Sequence, residues 1–201
     1  MTRTIGIYVF DNVELLDLAG PYEVFTCASR VHARLNPGTE TPFKVLTVGQ
    51  TSAPTHARAG LRVLPDAVFA DRTKIDVLVV PGGVVSAELV KPEVITWIAQ
   101  TARGAELATS VCTGAFLLAQ AGLLAGKQAT THWEDMDDLQ TMFPSVEVVR
   151  DKRWARDGNT VTSGGISAGI DMSLHLVETL VSRELALRTA HQMEYAWNEN
   201  A

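Results

Sequence analysis

The sequence lacks the features that mark membrane and secreted proteins. Its longest unbroken apolar runs, such as residues 5–10 and 77–81, are far shorter than the roughly 18 apolar residues that a membrane-spanning helix needs. The amino terminus has one early basic residue, Arg3, and then a short apolar stretch that ends at Asp11, with no small-residue cleavage site after it. We therefore expect no membrane association, no signal peptide and a cytoplasmic location.

Cysteine and clustered positive charge are also scarce. The two cysteines, Cys27 and Cys112, are too few for a disulfide framework and too far apart for a paired-cysteine zinc site. The 17 basic residues are outnumbered by 23 acidic ones, for a net charge of −6, and they form no basic cluster. Nucleic acid is therefore not an expected partner. No lysine or third glycine follows Gly82 and Gly83 at the spacing of a phosphate-binding loop, so we expect no nucleotide cofactor. The spacing of the cysteines and histidines leads us to expect no metal either.

The remaining sequence is that of a globular α/β protein. Hydrophobic residues make up 46% of the chain and charged residues 20%, which excludes a disordered or fibrous chain. Short β-branched and apolar runs predict buried parallel strands at residues 4–10, 42–49, 76–80, 106–111 and 146–151. Helical patterns lie at residues 20–34, 92–103, 112–124 and 134–143. The alternation predicts a flavodoxin-like, doubly wound, mostly parallel sheet with helices on both faces.

Other segments depart from that alternation. Residues 51–64 and 153–163 are typical of antiparallel hairpins, and the second has Asp157, Gly158 and Asn159 at its turn. Residues 166–181 and 182–197 are helical by period, with Ser182 as the cap between them. The longest loop is 35–41, and there is no linker, repeat or low-complexity tract, so we expect one domain over residues 1–201 with no appended DNA-binding module.

The most informative stretch is residues 108–118, which read ATSVCTGAFLL. An apolar strand ends at Val111, a helix begins at Cys112 or Thr113, and Ser110 and Gly114 are small. This pattern is typical of a nucleophile elbow, a sharp strand-to-helix turn that exposes one reactive side chain. A thiol at a helix amino terminus is expected to have a lowered pKa, which makes Cys112 a candidate nucleophile. The alternative is that Cys112 is a buried apolar side chain, as we expect for Cys27.

A nucleophile needs a proton-handling partner, and Asp17 is the first candidate. It follows the first strand, and the carboxyl ends of parallel strands lie at one edge of a sheet. Its leucine neighbours predict partial desolvation and a raised pKa, which suits a general acid. Alternatively, Asp17 caps a helix. Glu23 is the main rival, whereas Glu14 follows a polar turn and is expected to be solvated.

Further candidates lie at other strand ends. Gly82 and Gly83 allow close backbone approach to a ligand, as an oxyanion hole requires, although a tight turn needs the same residues. His132 ends another strand and is expected to be a hydrogen-bonded structural residue unless it pairs with Cys112. Residues 163–171 form a glycine-rich helix start, for which close packing is the favoured interpretation. The other histidines have no metal-site spacing: His32, His56, His175 and His191.

Together these motifs resemble the ThiJ/PfpI superfamily, whose fold is like that of the class I glutamine amidotransferases. The resemblance covers nearly the whole chain and is carried by residues 16–21 (LDLAGP), 81–83 (PGG), 110–114 (SVCTG), 129–133 (ATTHW), 164–171 (GGISAGID) and 194–196 (EYA). Within the superfamily the chain is most similar to the isocyanide (isonitrile) hydratases. Several of these motifs are shared with the sensor domains of AraC-type regulators, so they do not separate an enzyme from a sensor.

The resemblance implies a cofactor-free lyase that hydrates isocyanides to N-formamides. Cys112 would attack the terminal carbon, Asp17 would supply a proton to form a thioimidate, and water near Asp17 and Thr113 would release the product. Gly82, Gly83 and His132 are further candidates for the oxyanion and substrate site, and Ile166 would pack near the cysteine. The family is typically homodimeric, with a small molecule as substrate.

Departures from the family pattern leave alternatives open. Thr113 stands where the peptidase branch has histidine, which disfavours protease activity, and Asp17 replaces the glutamate of the stress-protein branch. Ala19 stands where the hydratase pattern has threonine, and the 35–41 loop is longer, so the substrate pocket is in question. The alternatives are thiolate chemistry on another electrophile, as in glyoxalases and deglycases, and a small-molecule or redox-sensing dimer related to AraC-type sensor domains.

Overall fold

The structure is a computed structural model that describes residues 1–199. A seven-stranded sheet has the spatial order β10-β11-β7-β6-β1-β2-β5. In chain order its strands are β1 (Arg3–Val9), β2 (Phe43–Gly49), β5 (Ala67–Val68), β6 (Val77–Val80), β7 (Leu107–Val111), β10 (Trp154–Asp157) and β11 (Thr160–Ser163). Every neighbouring pair is parallel except β10 with β11. This confirms the predicted mostly parallel sheet.

Helices flank the sheet in two groups. The α-helices of residues 1–199 are α1 (Leu15–Leu35), α2 (Ser86–Leu89), α3 (Pro92–Gly104), α4 (Gly114–Gln120), α5 (Met136–Met142), α6 (Ala168–Leu180) and α7 (Arg183–Gln192). Helix α1 packs with α6 and α7, whereas α2, α3 and α4 pack with one another. Successive side chains of a strand point to opposite faces, and all four of β6 are buried, so both faces of the sheet centre are covered. None of the helices among residues 1–199 has both the length and the apolar character needed to cross a membrane.

Two small sheets lie apart from the main one. An antiparallel pair, β3 (Thr55–His56) with β4 (Arg62–Val63), confirms the first predicted hairpin. A parallel pair joins β8 (Gln128–Ala129) to β9 (Glu147–Val148). The prediction of a main-sheet strand at 146–151 is therefore wrong. Val146 is the only buried residue of this segment. The charged residues of the segment cannot enter a sheet that is covered on both faces.

Helix limits differ from the sequence prediction at the functional edge. Helix α1 begins at Leu15 rather than residue 20 and contains Pro21. Pro21 is the seventh residue of this helix, so it removes a backbone donor from the helix interior without terminating the helix. Helix α4 begins at Gly114 rather than at Cys112 or Thr113, since Cys112 has a φ of 55°, which is not helical. The Ser182 cap is confirmed, because its hydroxyl accepts a hydrogen bond from Leu185 N at 3.2 Å.

The strand register brings four loops to one edge of the sheet. Parallel pairing aligns Ile7 of β1 with Val79 of β6, and Val80 of β6 with Ser110 of β7. It also aligns Val111 of β7 with Ser163 of β11. The segments that follow these strands, residues 10–17, 81–83, 112–114 and 164–167, therefore lie side by side at the carboxyl edge.

Candidate active site

Cys112 lies on a strained strand-to-helix turn. Its φ of 55° is in the left-handed region that non-glycine residues rarely occupy. The turn is held by two bonds of the Cys112 N–H to the carbonyls of Ser163 and Gly164, both at 3.2 Å. The Thr131 hydroxyl donates to the Cys112 carbonyl at 2.8 Å. The geometry is that of a nucleophile elbow, as the sequence predicts.

Two glycines allow this turn to sit against the neighbouring strand. A Cβ at Gly82 would lie 2.6 Å from Thr113 N and 2.8 Å from the Cys112 Cβ. A Cβ at Gly114 would overlap the Val80 carbonyl oxygen, a backbone atom that cannot rotate away. Glycine is therefore required at both positions for the elbow to approach β6.

Asp17 is fully buried beside the thiol. It is the third residue of α1, and its Oδ2 accepts a hydrogen bond from Gly82 N at 3.0 Å. Its Oδ1 has no hydrogen-bond partner among the described residues. The helix-capping interpretation is therefore wrong, because the carboxylate bonds to a glycine of another loop rather than to the first turn of its own helix.

The environment of Asp17 moves its pKa to the neutral range. Burial raises the pKa of the carboxyl from its ordinary 3.8 to about 7, and the charge of Glu14 adds to the effect. The Gly82 N–H, the Cys112 thiol and the Ile166 N–H act in the opposite direction, because each stabilises the carboxylate. This confirms the predicted raised pKa and places the thiol in contact range of the acid. Glu23, the rival acid, instead forms a surface ion pair with Arg30 at 2.7 Å.

The pKa of Cys112 is shifted opposite to the sequence expectation. Burial raises the pKa of the thiol to about 12, and the charges of Asp17 and Asp135 contribute in the same direction. The Thr113 N–H lowers it, as expected at a helix start, but that effect is smaller than the burial. Only 7% of Cys112 is exposed. The prediction of a low-pKa thiolate is therefore wrong, and the resting group is a protonated thiol beside an acid near its midpoint.

Thr113, Gly82 and Gly83 form one wall of the site. The Thr113 hydroxyl accepts from Gly83 N and donates to Gly83 O, both at 2.9 Å. Since Gly82 N already bonds to Asp17, neither glycine amide is free in this structure. The two glycines therefore position the acid and the threonine in this structure, and their role as oxyanion donors stays a prediction.

Ile166 and His132 form the opposite wall. Ile166 has a φ of 52°, a strained conformation for a β-branched residue, and its side chain is half-exposed. The His132 ring lies directly against Gly165, where a Cβ would overlap it. His132 Nδ1 accepts from Glu134 N at 3.3 Å, so in the neutral ring the proton is on Nε2. The predicted hydrogen-bonded histidine is found, and it also faces the cysteine cavity.

The cavity above the thiol has a volume of about 300 Å³. Its lining residues are Glu14, Arg58, Gly83, Val84, Cys112, Thr113, His132, Glu134, Asp135 and Ile166. It brings together Cys112, Thr113, Gly83, His132 and Ile166 from the sequence prediction, with Asp17 and Gly82 directly beneath. Among residues 1–199, no group of three or more His, Cys, Asp or Glu side chains is arranged to hold a metal ion.

The sequence analysis does not single out three charged residues of this cavity, Arg58, Glu134 and Asp135, and it sets aside a fourth, Glu14. Glu14 was expected to be solvated, and no pattern places the hairpin that carries Arg58 over the elbow. The acids at 134 and 135 directly follow His132, which was the available signal. Cys27 is a buried core residue, as predicted.

Comparison with known proteins identifies the family. The model of the DJ-1/PfpI family matches residues 3–179. The chain belongs to the DJ-1/PfpI family. An isonitrile hydratase of Pseudomonas putida is 39% identical over 197 residues, which cover 98% of this chain and 80% of that protein. The HTH-type transcriptional regulator GbdR of Pseudomonas aeruginosa is 31% identical over 96% of this chain, which spans 51% of the regulator.

Solved structures agree with this assignment. A ThiJ/PfpI family protein from Pseudomonas syringae superposes with a TM-score of 0.85 at 29% identity, covering 98% of this chain and 77% of that one. Drosophila melanogaster DJ-1beta superposes with a TM-score of 0.83 at 22% identity, covering 98% of this chain and all of that one. The DJ-1/PfpI relatives thus include both an enzyme and a regulator, and the chemistry of this member has to be argued from its site.

Proposed function

We propose that this DJ-1/PfpI protein is a cysteine-dependent hydratase that converts isocyanides to N-formamides without a cofactor. The observation that carries the proposal is the buried Asp17 carboxyl, whose pKa is raised to about 7, in contact range of the Cys112 thiol. A carboxyl near its midpoint can both accept and return a proton at neutral pH. The similarity to an isonitrile hydratase supports the substrate class.

The first half-reaction joins the thiol to the isocyanide. Cys112 Sγ attacks the terminal carbon, and the thiol proton passes to the Asp17 carboxylate. Asp17 then delivers that proton to the same carbon, because sulfur attack leaves a lone pair there. The product is a covalent thioimidate, R–N=CH–S–Cys112, in which no atom has been oxidised or reduced.

The second half-reaction consumes one water. Asp17 removes a proton from water as the oxygen adds to the thioimidate carbon, and the nitrogen is protonated. The C–S bond then breaks, the N-formamide leaves, and the sulfur regains its proton. The Thr113 hydroxyl, fixed by both of its bonds to Gly83, borders the cavity in which this water would stand. The sum is one isocyanide and one water to one N-formamide.

The test is turnover of para-nitrophenyl isocyanide with matched cysteine variants. The wild type should form the N-formamide, and Cys112→Ala should lose that activity while keeping its circular dichroism spectrum. Cys27→Ala is the control, because Cys27 is buried in the core away from the elbow and should leave turnover intact. Turnover by Cys112→Ala, or none by the wild type with Cys112 shown to be reduced, contradicts the proposal and favours another electrophile or a sensor.

The proposal includes one domain over the whole chain, a small-molecule substrate, a cytoplasmic location and a homodimer. Large apolar side chains are exposed in the cavity lining, next to His132 and on α1: Val84 and Ile166, Trp133, and Leu16 and Tyr22. Trp133 is the most exposed of them at 72%. Exposed apolar groups of this kind favour association. Light scattering after size exclusion should give twice the chain mass, and a monomer at micromolar concentration would contradict the dimer.

A further inference from the structure

The cavity above Cys112 contains one fixed positive charge among acids. Among residues 1–199, Arg58 is the only arginine or lysine in its lining, which also contains the carboxylates of Glu14, Glu134 and Asp135. A small neutral electrophile needs no cation for binding. A guanidinium in a cavity that also holds the proposed nucleophile therefore suggests that the substrate carries a group for it to bind.

The backbone under Arg58 is tied to the site. Its N–H donates to Val13 O at 2.9 Å, and Val13 forms an isolated antiparallel bridge with Gly83. The hairpin is also held by Asn12 N, which donates to His56 O at 2.7 Å. The backbone of Arg58 is thus linked through Val13 to Gly83, which is hydrogen-bonded to Thr113. These contacts fix the position of the Arg58 Cα relative to the Cys112 thiol.

The guanidinium forms one ion pair with the protein, to Glu14, and that pair is long. Its nearest carboxylate oxygen is Glu14 Oε2, 3.7 Å from Nη1, which is longer than a hydrogen bond. Within residues 1–199 its side chain donates no hydrogen bond of ordinary geometry, although guanidinium has five N–H donors. By contrast, Arg183 of α7 donates to Glu178 at 2.8 Å. The charge of Arg58 also reaches Asp135: burial raises the pKa of that carboxyl, and Arg58 makes a small contribution in the opposite direction.

We propose that Arg58 is a specificity-determining residue that binds a carboxylate on the substrate, at the end remote from the carbon that Cys112 attacks. A carboxylate matches the fork of a guanidinium and forms a charge-assisted pair. Glu134 and Asp135 repel an anion from their part of the cavity, which leaves the Arg58 guanidinium as the cationic group that can bind it. The inference rests on the proposed function only for which carbon Cys112 attacks. The binding of a carboxylate by Arg58 is argued from the geometry of the cavity alone.

One test uses alkylation of Cys112, which does not depend on hydratase activity. The probes are N-(4-carboxyphenyl)iodoacetamide and its neutral isostere N-(4-carbamoylphenyl)iodoacetamide. In both, the S–C bond forms as the C–I bond breaks, iodide leaves, and the thiol proton goes to solvent. Because the reacting carbon is the same, the ratio of the two rates reports only on recognition of the distant carboxylate.

The expected result is a fall in that ratio when the guanidinium is removed. Arg58→Gln should lower the carboxylate-to-carboxamide ratio by about fivefold, a value reduced from that of a buried pair because Arg58 is largely exposed. Arg58→Lys should retain part of the preference of the wild type for the carboxylate probe. Arg62→Gln is the matched control, since Arg62 is exposed on the same hairpin and does not line the cavity. An unchanged ratio in Arg58→Gln, or an equal change in Arg62→Gln, overturns the proposal.

The same comparison with 4-isocyanobenzoate and 4-isocyanobenzamide separates the two proposals. If both isocyanides are hydrated and the ratio of their kcat/KM values falls in Arg58→Gln, the hydratase proposal and the role of Arg58 are both supported. If neither isocyanide is hydrated but the alkylation ratio still depends on Arg58, the hydratase proposal fails and anion recognition stands. If both are hydrated with a ratio that Arg58→Gln leaves unchanged, the hydratase stands and the role of Arg58 is refuted.

Discussion

Replacing Asp17 with asparagine should make the protein more stable at pH 8, and the gain should shrink at lower pH. Burial raises the pKa of Asp17 from 3.8 to about 7, and the side chain is fully buried. Between these values the unfolded carboxyl has released its proton while the folded one retains it. Rising pH therefore favours the unfolded state until the folded carboxyl also ionises, near pH 7.

The magnitude follows from the same two values. Well above both, the difference corresponds to roughly 4 kcal/mol of stability lost by the wild type, since a tenfold change in proton affinity is worth about 1.4 kcal/mol. At pH 5 only part of this stability is lost, so the difference in stability between Asp17→Asn and the wild type should widen by roughly 2 to 3 kcal/mol from pH 5 to pH 8. Asparagine is nearly isosteric and keeps an oxygen for the Gly82 N–H.

Urea unfolding followed by tryptophan fluorescence measures this gap, because the buried Trp154 becomes exposed on unfolding. Asp151→Asn is the control, since Asp151 is exposed and its φ of 59° suits asparagine. Its difference from the wild type should be the same at both pH values. If the Asp17→Asn difference is also constant, the folded carboxyl is already ionised at pH 5, and the reasoning that makes it a neutral-range proton carrier is refuted.

Three further predictions concern the site and its support. The kcat/KM for isocyanide hydration should rise through pH 7 as Asp17 ionises, and a profile that is flat from pH 5.5 to 8.5 would exclude Asp17 as the base. Gly114→Ala should destabilise the protein by about 3 kcal/mol in urea, because its Cβ overlaps the Val80 carbonyl oxygen; a loss under about 1 kcal/mol would show that the elbow can shift. Arg153→Met should cost about 2 to 3 kcal/mol, because Arg153 pairs with the fully buried Asp171; wild-type stability would mean that Asp171 is satisfied without it.

The hydrophobic pattern of the strands and the alternation of strands and helices along the chain were enough to predict much of the fold and part of the site. The central strands have apolar residues on both faces, and the elbow has small residues on both sides of Cys112. The joint location of Asp17 and Cys112 followed from one rule, that parallel strands end at a common edge. The start of α1 was predicted too late, because proline in a sequence suggests a helix boundary, whereas Pro21 lies inside this helix.

The sequence could not predict which of two opposing effects is larger at one atom, such as the two contributions to the pKa of Cys112. The helix start and the burial shift the pKa of Cys112 in opposite directions, and only the depth of the sulfur decides between them. Likewise, Gly82 and Gly83 indicate close backbone approach, but which acceptor each amide meets depends on the side chains of Asp17 and Thr113. Arg58 reaches the cavity through a hairpin whose position depends on long-range backbone pairing with Val13.

The burial of Cys112 has a consequence for the chemical lifetime of the chain. A thiol whose pKa is about 12 in the folded state reacts slowly with oxidants and general alkylating agents, since these attack the thiolate. Opening of the elbow removes the burial and the acids around the sulfur, and the thiol then titrates like that of an ordinary peptide. Modification by reagents that do not fit the cavity should therefore proceed mainly through transiently open molecules, at a rate set by how often the loops around the elbow separate. The closed site would then protect its sulfur from general electrophiles and admit only those that fit the cavity.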